Sequence, residues 1–204
     1  MSAAPEHELN EKYRYPVPPP EGWIAEDLDR LPDLPPHTEL IDGSLVFMSP
    51  QTRFHMRTMR LLEHCLLDQA PDELDVFREF SVRIDSRNRP EPDLLVVPFG
   101  ADTGPKHTSL SPEDLVLAVE VVSDESRDRD REVKPRKYAA AGVVHFWRVE
   151  EGADGLPVVY VYELDPALRA YTATGIHRNR LKLDLPFPLD IDLTTINQRR
   201  RREL

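Results

Sequence analysis

The sequence predicts an α/β or α+β domain in which helices flank a central β-sheet. Two short continuous apolar runs, residues 94–97 and 115–122, are typical of strands that are buried on both faces. Helically spaced apolar residues precede the first run, and a second helical segment follows the other. The resulting order of helix, strands, helix and strands is the basis of this fold prediction.

The N-terminal part carries a proline-rich arm and a hairpin. Residues 1–22 include the extended segment YPVPPPEG, and we assign them to an arm that precedes a single domain of residues 23–196. AEDLDRLPDLPP can hold one short helix before its prolines end it. Asp42 and Gly43 separate two apolar stretches, which is a strong signal for a β-hairpin.

A helix and a strand are predicted after the hairpin. Apolar residues at positions 54, 61 and 65 and at 59, 62 and 66 have helical spacing, which predicts a helix over residues 53–69. In DVFREFSVRI, four apolar residues share one parity and predict a half-buried strand: Val76, Phe80, Val82 and Ile84.

The C-terminal half is predicted to contain one helix and a meander. Pro135 is tolerated only in a first turn, so the helix is expected to begin near Lys134, and Gly142 fits its C-terminal cap. VVHFWRVE, VVYVYEL and LRAYTAT then predict antiparallel strands. Residues 197–204, NQRRRREL, form a basic tail.

Composition sets limits on compartment and partners. With 40% hydrophobic and 31% charged residues, the chain has the composition of a soluble globular protein, and no apolar run approaches a membrane span. Cys65 is the only cysteine, which excludes an internal disulfide framework and favours the cytoplasm. The net charge of −11 argues against a broad basic surface for nucleic acid but does not exclude a local one.

Two acids on the buried strands are the main functional signal. Asp93 stands at the start of the first apolar run and Glu120 lies inside the second, where an unpaired carboxylate is very costly. If the strands are neighbours, the carboxylates converge and suit Mg²⁺, with the main-chain carbonyl of Val121 as a third protein ligand. Lys134 would then orient or deprotonate a water, or stabilise charge developing on a phosphate. Alternatively, each acid pairs with an arginine.

An ordered set of short motifs resembles a known family. ELIDG, MSP followed by His55, PD, EVVS, a D…K…Y spacing, AGV and FW occur in this order. The set resembles the PD-(D/E)XK nuclease superfamily, and more closely its Uma-type "putative restriction endonuclease" family, over well over half of the chain. The resemblance implies a restriction-endonuclease-like core with a mixed sheet and a Mg²⁺-dependent phosphodiesterase, with Mn²⁺ able to substitute.

The resemblance also assigns roles to individual residues. It implies that Asp93 and Glu120 bind the metal, that Glu39 of ELIDG joins the site, and that Lys134 is a catalytic lysine carried by the following helix. Val122 stands where the wider superfamily usually has lysine, as it does in the Uma-type family. Lys137 lies most of a helical turn from Lys134 and is expected to point elsewhere.

Several other residues near the motifs could have either a functional or a purely structural role. His55 could contact a phosphate or orient Glu39, or could be a surface or capping residue. Ser123 could brace Glu120 through a hydrogen bond, or simply end a strand. Asp130 is expected to form a surface pair with Lys134 at four residues' spacing. Tyr138 and Trp147 could be platforms on which bases stack, but they fall on apolar faces and are expected in the core.

These observations predict a metal-dependent DNA endonuclease that acts in the cytoplasm without a membrane partner. Cutting both strands of a duplex favours a homodimer. The alternative is a catalytically inactive nuclease-fold module with a binding or regulatory role, which the acidic charge and Val122 support.

Overall fold

In the part of the chain that the structure describes, the β-strands form two strand pairs and one six-stranded sheet. The computed structural model describes residues 17–101, 104 and 106–198. The strands in chain order are β1 (Thr38–Ile41), β2 (Ser44–Phe47), β3 (Leu74–Arg78), β4 (Leu94–Pro98), β5 (Leu117–Val121), β6 (His145–Glu151), β7 (Pro157–Asp165), β8 (Ala170–Arg178), β9 (Arg180–Leu183) and β10 (Leu189–Asp192). The α-helices are α1 (Arg53–Gln69) and α2 (Lys134–Ala141).

The central sheet has the order β3-β4-β5-β6-β7-β8. Its neighbours pair antiparallel except β5 and β6, which are parallel. A parallel pair requires a crossover connection, and α2 lies in that connection. The predicted mixed sheet with flanking helices and an antiparallel C-terminal meander is therefore confirmed.

The N-terminal elements form as expected. The 3₁₀ helix Ala25–Asp29 precedes the β1–β2 hairpin, whose turn residues Asp42 and Gly43 have φ values of 51° and 77°. Two consecutive positive φ angles are the geometry of the tight hairpin turn that the Asp-Gly pair favours. Residues 1–16 of the predicted arm and 199–204 of the basic tail lie outside the described residues.

Helix α1 has the bounds that its apolar spacing predicts, Arg53–Gln69. The side chain of Thr52 caps its start by accepting a hydrogen bond from the backbone N–H of His55 at 3.2 Å. Its buried face, which includes Met59, Leu62 and Leu66, packs against one face of the sheet in the larger of two core clusters.

The strand predicted over residues 75–84 is too long. β3 ends at Arg78, and Glu79 has a φ of 49°, a left-handed conformation that interrupts a strand. Val82 then forms only an isolated bridge, to Leu110. Apolar residues still occur at every second position after the end of β3, because Phe80, Val82 and Ile84 pack against the core without forming a strand.

Helix α2 begins at Lys134 with Pro135 in its first turn, as predicted. A five-residue π-helical turn, Arg129–Val133, leads into it. Gly142 ends the helix with a φ of 92°. The helix packs on the second face of the sheet, where Tyr138 and Phe146 belong to the smaller core cluster. No helix among the described residues is long and apolar enough to cross a bilayer.

Candidate active site

The pairing of β4 with β5 brings the two predicted metal-binding acids together. Leu94 lies opposite Val119 in the antiparallel register, so the next step places Asp93 beside Glu120. Within β5, Leu117, Val119 and Val121 face the α1 side of the sheet, which leaves Glu120 on the side of α2. The convergence that the sequence predicted conditionally is present.

Glu39 reaches the same place from the hairpin. An isolated bridge between Leu40 and Arg89 aligns β1 with the segment that leads into β4. The backbone N–H of Glu91 donates to Glu39 Oε1 at 2.8 Å. Glu39 has no exposed surface, so this acid is delivered to the interior by a strand that is not part of the central sheet.

The ammonium of Lys134 lies between the acids. Its Nζ is 2.8 Å from Glu39 Oε1 and 3.0 Å from Glu120 Oε2, and the residue is 1% exposed. The first turn of α2 therefore supplies the positive charge that buried carboxylates require. Lys134 is the charged partner of Glu39 and Glu120, whereas Asp93 contacts His55. The alternative in which Asp93 and Glu120 each pair with an arginine is therefore not found in the described part of the chain.

Asp130 is a fourth acid in the cluster, and its predicted surface position was wrong. Its Oδ1 lies 3.4 Å from Lys134 Nζ, at the expected spacing of four residues, but Asp130 is only 1% exposed. Spacing fixes which residues share a helix face, not whether that face is buried. The face packs against Glu120, so the pair belongs to the interior.

Tyr138 contributes a hydrogen bond as well as a core ring. Its hydroxyl donates to Glu120 Oε1 at 2.7 Å, the oxygen that Lys134 leaves free. Its ring packs against Phe146 with centroids 5.9 Å apart. The available sequence signal was its position four residues after Lys134, which places both on one helix face.

Burial and the neighbouring charges shift the pKa values of the cluster. Burial raises the pKa of Glu120 well above its usual value; Lys134 opposes this, and Asp130, Asp93 and Glu39 add to it. Burial alone would lower the pKa of Lys134, but these four acids hold it well above its usual value. The lysine therefore carries its charge at neutral pH, and burial also raises the pKa of Asp130.

Asp93 is oriented by two donors. Val121 donates its backbone N–H to Asp93 Oδ2 at 2.6 Å. Nε2 of His55 lies 3.0 Å from Asp93 Oδ1, and His55 is 2% exposed. His55 is thus neither a surface residue nor a partner of Glu39, since its ring contacts Asp93. At 7% exposure, Asp93 is the most accessible of the four acids.

The remaining predicted positions lie around this cluster. Ser123 does not brace Glu120; just after β5 its hydroxyl lies 2.9 Å from that of Ser126 and caps the following turn. Lys137 points away from the cluster, as expected, and its Nζ contacts Asp42 at 2.6 Å. Trp147 is fully buried in the core, also as expected.

The donor set suits a hard divalent cation in its chemistry. Carboxylate oxygens are the ligands that Mg²⁺ and Mn²⁺ prefer. Glu39 Oε2 is buried without a hydrogen-bond partner among the described residues, so its lone pairs are free to coordinate a metal ion. Within the part of the chain that the structure describes, however, no three side chains of His, Cys, Asp or Glu are already spaced around one ion. Binding would require Lys134 to yield part of its contact with the acids.

The fold is similar to that of a protein whose structure has been solved. A crystal structure of a "putative nuclease belonging to DUF820" from Anabaena variabilis is similar, with a TM-score of 0.56 and 13% identity over 79% of this chain and 88% of the other. Because the similarity spans most of both chains, it supports the assignment of the fold.

The family is defined by sequence. The model of the Uma2 family, described as "Putative restriction endonuclease", matches residues 25–195, and the chain belongs to this family. No curated protein gave a significant match.

Proposed function

We propose that this protein is a metal-dependent endonuclease that hydrolyses phosphodiester bonds in DNA. The observation that carries the proposal is the convergence of three acids from segments far apart in the chain. Glu39 and Glu120 both contact Lys134, and Asp93 lies beside Glu120 in the register of β4 with β5. Membership of a family of nucleases supports the class of reaction. The metal, the choice of DNA and the mechanism are our proposals.

The acids would bind the metal, and the lysine would stabilise negative charge. Glu39, Asp93 and Glu120 would hold Mg²⁺ or Mn²⁺, with the carbonyl of Val121 as a further donor. The bound metal would activate water and neutralise charge on the phosphate. Lys134, which stays protonated, would place its ammonium against the negative charge that develops on the phosphate oxygens.

Neighbouring residues would keep the acids in place. His55 and the Val121 N–H fix the two oxygens of Asp93, and Tyr138 fixes one oxygen of Glu120. Ligands whose orientation is set by surrounding hydrogen bonds lose less entropy on binding a metal. Because Asp93 is the most accessible acid, we place the substrate phosphate on its side of the cluster.

The test combines metal binding with cleavage. Purified wild type is melted in EDTA, Mg²⁺ and Mn²⁺ and then incubated with plasmid, single-stranded and branched DNA. Asp93→Asn and Glu120→Gln should abolish both the metal-dependent rise in Tm and the cleavage. Asp72→Asn, at an exposed acid, is the matched control and should retain both. Metal-dependent cleavage that persists in Asp93→Asn would refute the proposal.

One observation favours a second candidate, a catalytically inactive binding or regulatory module. Lys134 already neutralises part of the buried acid charge, so the cluster holds together as a structural unit. In that case no Tm rise with Mg²⁺ or Mn²⁺ is expected in wild type. A rise that disappears in Glu120→Gln would reject this candidate.

Duplex cleavage adds a prediction about assembly. We propose a two-fold homodimer, because the active site of each copy can then cleave one strand of the duplex. Analytical ultracentrifugation with and without duplex DNA measures this directly.

A further inference from the structure

A cavity lies beside α2 and is lined by helix residues that do not belong to the acid cluster: Pro135, Arg136 and Ala139. Its volume is about 280 Å³, close to the lower limit of small-ligand pockets. We call it the arginine–tyrosine pocket, after the side chains that define it: Arg131, Arg136, Arg148, Arg169, Tyr162 and Tyr171. We infer that it binds one nucleotide unit, a phosphate with its base, of a nucleic-acid strand; this rests on the proposed function above.

Positive charge is concentrated here in a chain that is acidic overall. The four arginines outnumber the two glutamates that pair with them, Glu132 and Glu150, whereas the whole chain has a net charge of −11. Among the described residues, Arg169 makes one polar contact, and it is long: 3.4 Å from its Nη1 to the carbonyl of Ala140. Arg169 is exposed, so its guanidinium is available to an anion.

Two of the arginines are held in place before any ligand arrives. Arg131 donates to both carboxylate oxygens of Glu150, through its Nε at 3.0 Å and through its Nη2. The guanidinium carbon of Arg148 lies 4.6 Å from the ring centre of Tyr160 and 5.6 Å from that of Tyr162. Planar guanidinium groups match phosphate oxygens, and fixed ones lose little freedom on binding.

The pocket also offers aromatic surface. Tyr162 and Tyr171 are half-buried, and the ring of Tyr171 stacks on Phe146 with centroids 5.3 Å apart. Bases of single strands stack on such rings with little dependence on sequence. Arginine forks beside tyrosine rings are therefore complementary to a phosphate and the base attached to it.

The position of the pocket connects it to the acid cluster. Pro135 lines the pocket, and the preceding residue, Lys134, carries the ammonium of the acid cluster. Tyr138 connects the pocket with the acid cluster. Its ring packs against Phe146, which lines the pocket, and its hydroxyl donates to Glu120. A strand held in the pocket would thus be anchored on the helix that carries the proposed catalytic lysine.

Strand binding without cleavage tests the inference. Fluorescence anisotropy is measured with a labelled single-stranded oligodeoxythymidylate in EDTA across a salt series. Arg136→Ala/Arg169→Ala removes two exposed pocket arginines and should weaken binding about tenfold and reduce the slope of log affinity against log salt by about 1.4. Arg60→Ala/Arg180→Ala removes the same charge elsewhere, from one exposed arginine on α1 and one that pairs with Asp190 on β10.

Each outcome has one meaning. Equal loss in both double variants would overturn the inference, because the effect would then be one of net charge. Free thymidine monophosphate should displace the strand only at much higher concentration; displacement at equal concentration would assign the pocket to a free nucleotide and overturn the strand assignment. Unchanged binding in Arg136→Ala/Arg169→Ala with metal-dependent cleavage retained overturns this inference alone. Weakened binding with no cleavage by wild type overturns the proposed function alone.

Discussion

Lys134 Nζ lies 2.8 Å from Glu39 Oε1, in an ion pair whose two side chains are 1% and 0% exposed. The pair joins the start of α2 to the middle of β1, and it brings the predicted lysine and the predicted N-terminal acid into direct contact. A buried charge of this kind is favourable only while its partners remain.

Replacing Lys134 with methionine should therefore destabilise the fold. The change leaves Glu39, Glu120 and Asp130 buried without their cation, which should cost about 3–5 kcal/mol of the free energy of unfolding. Urea denaturation in EDTA measures the loss. Lys137→Met on the same helix is the control; its partner Asp42 is 69% exposed, so less than about 1 kcal/mol is expected. Equal losses would contradict a special role for the buried ammonium.

Asp130 should influence metal affinity through Lys134. The ammonium and a divalent cation compete for Glu39 and Glu120, and Asp130 gives the ammonium another acceptor. Asp130→Asn should weaken Mn²⁺ binding about tenfold in calorimetry when Lys134 is present and leave it unchanged in the Lys134→Met background. The same loss in both backgrounds would instead make Asp130 a metal ligand.

The hydroxyl of Tyr138 should matter more than that of a comparable tyrosine. Tyr138→Phe removes a hydrogen bond to a carboxylate and should cost about 1.5–3 kcal/mol, while the ring keeps its contact with Phe146. Tyr171→Phe removes a bond of 2.8 Å to the neutral carbonyl of Val143, for which about 0.5–1.5 kcal/mol is expected. Denaturant midpoints of the two variants give the comparison, and a larger loss in Tyr171→Phe would disagree with it.

Low pH should reduce the stability of the fold partly because Asp29 becomes protonated. Burial acts to raise the pKa of Asp29, but hydrogen bonds from Arg89 and Thr108 outweigh it and leave the pKa below its ordinary value of 3.8. A lowered folded-state pKa contributes stability above pH 3.8 that is lost as pH falls through the folded-state value. Thermal melts of wild type should therefore decline more steeply below pH 3.8 than those of Asp29→Asn. Parallel curves would show that the pair with Arg89 contributes nothing.

Local patterns predicted the elements that depend on local physics. The bounds of α1 follow from the spacing of its apolar residues, and the β1–β2 turn follows from the conformational preference of Asp42-Gly43. The start of α2 follows from the restriction that Pro135 imposes. In each case, the determining interactions lie within a few residues of one another.

Properties set by distant packing were harder to predict. The end of β3 depends on the left-handed backbone of Glu79, whose N–H donates to the carbonyl of Asp93. The burial of Asp130 depends on which side of the helix meets Glu120. The choice of Asp93 as the partner of His55 depends on how the start of α1 packs against β4. None of these contacts is encoded by residue spacing alone.

The β1–β2 hairpin forms a two-stranded sheet of its own, outside the central sheet. Short two-stranded units have little stability by themselves, so we expect the hairpin, whose β1 is held by burial and by a bridge from Leu40 to Arg89, to open as a unit more readily than β4 and β5 separate. Such an opening would carry Glu39 away and leave Lys134 with fewer acids. Hydrogen exchange should then show faster exchange for the amides of Leu40 and Val46 than for those of β5. The fraction of molecules with Glu39 in the site would then be set by the equilibrium between the closed and open hairpin rather than by the free energy of global unfolding.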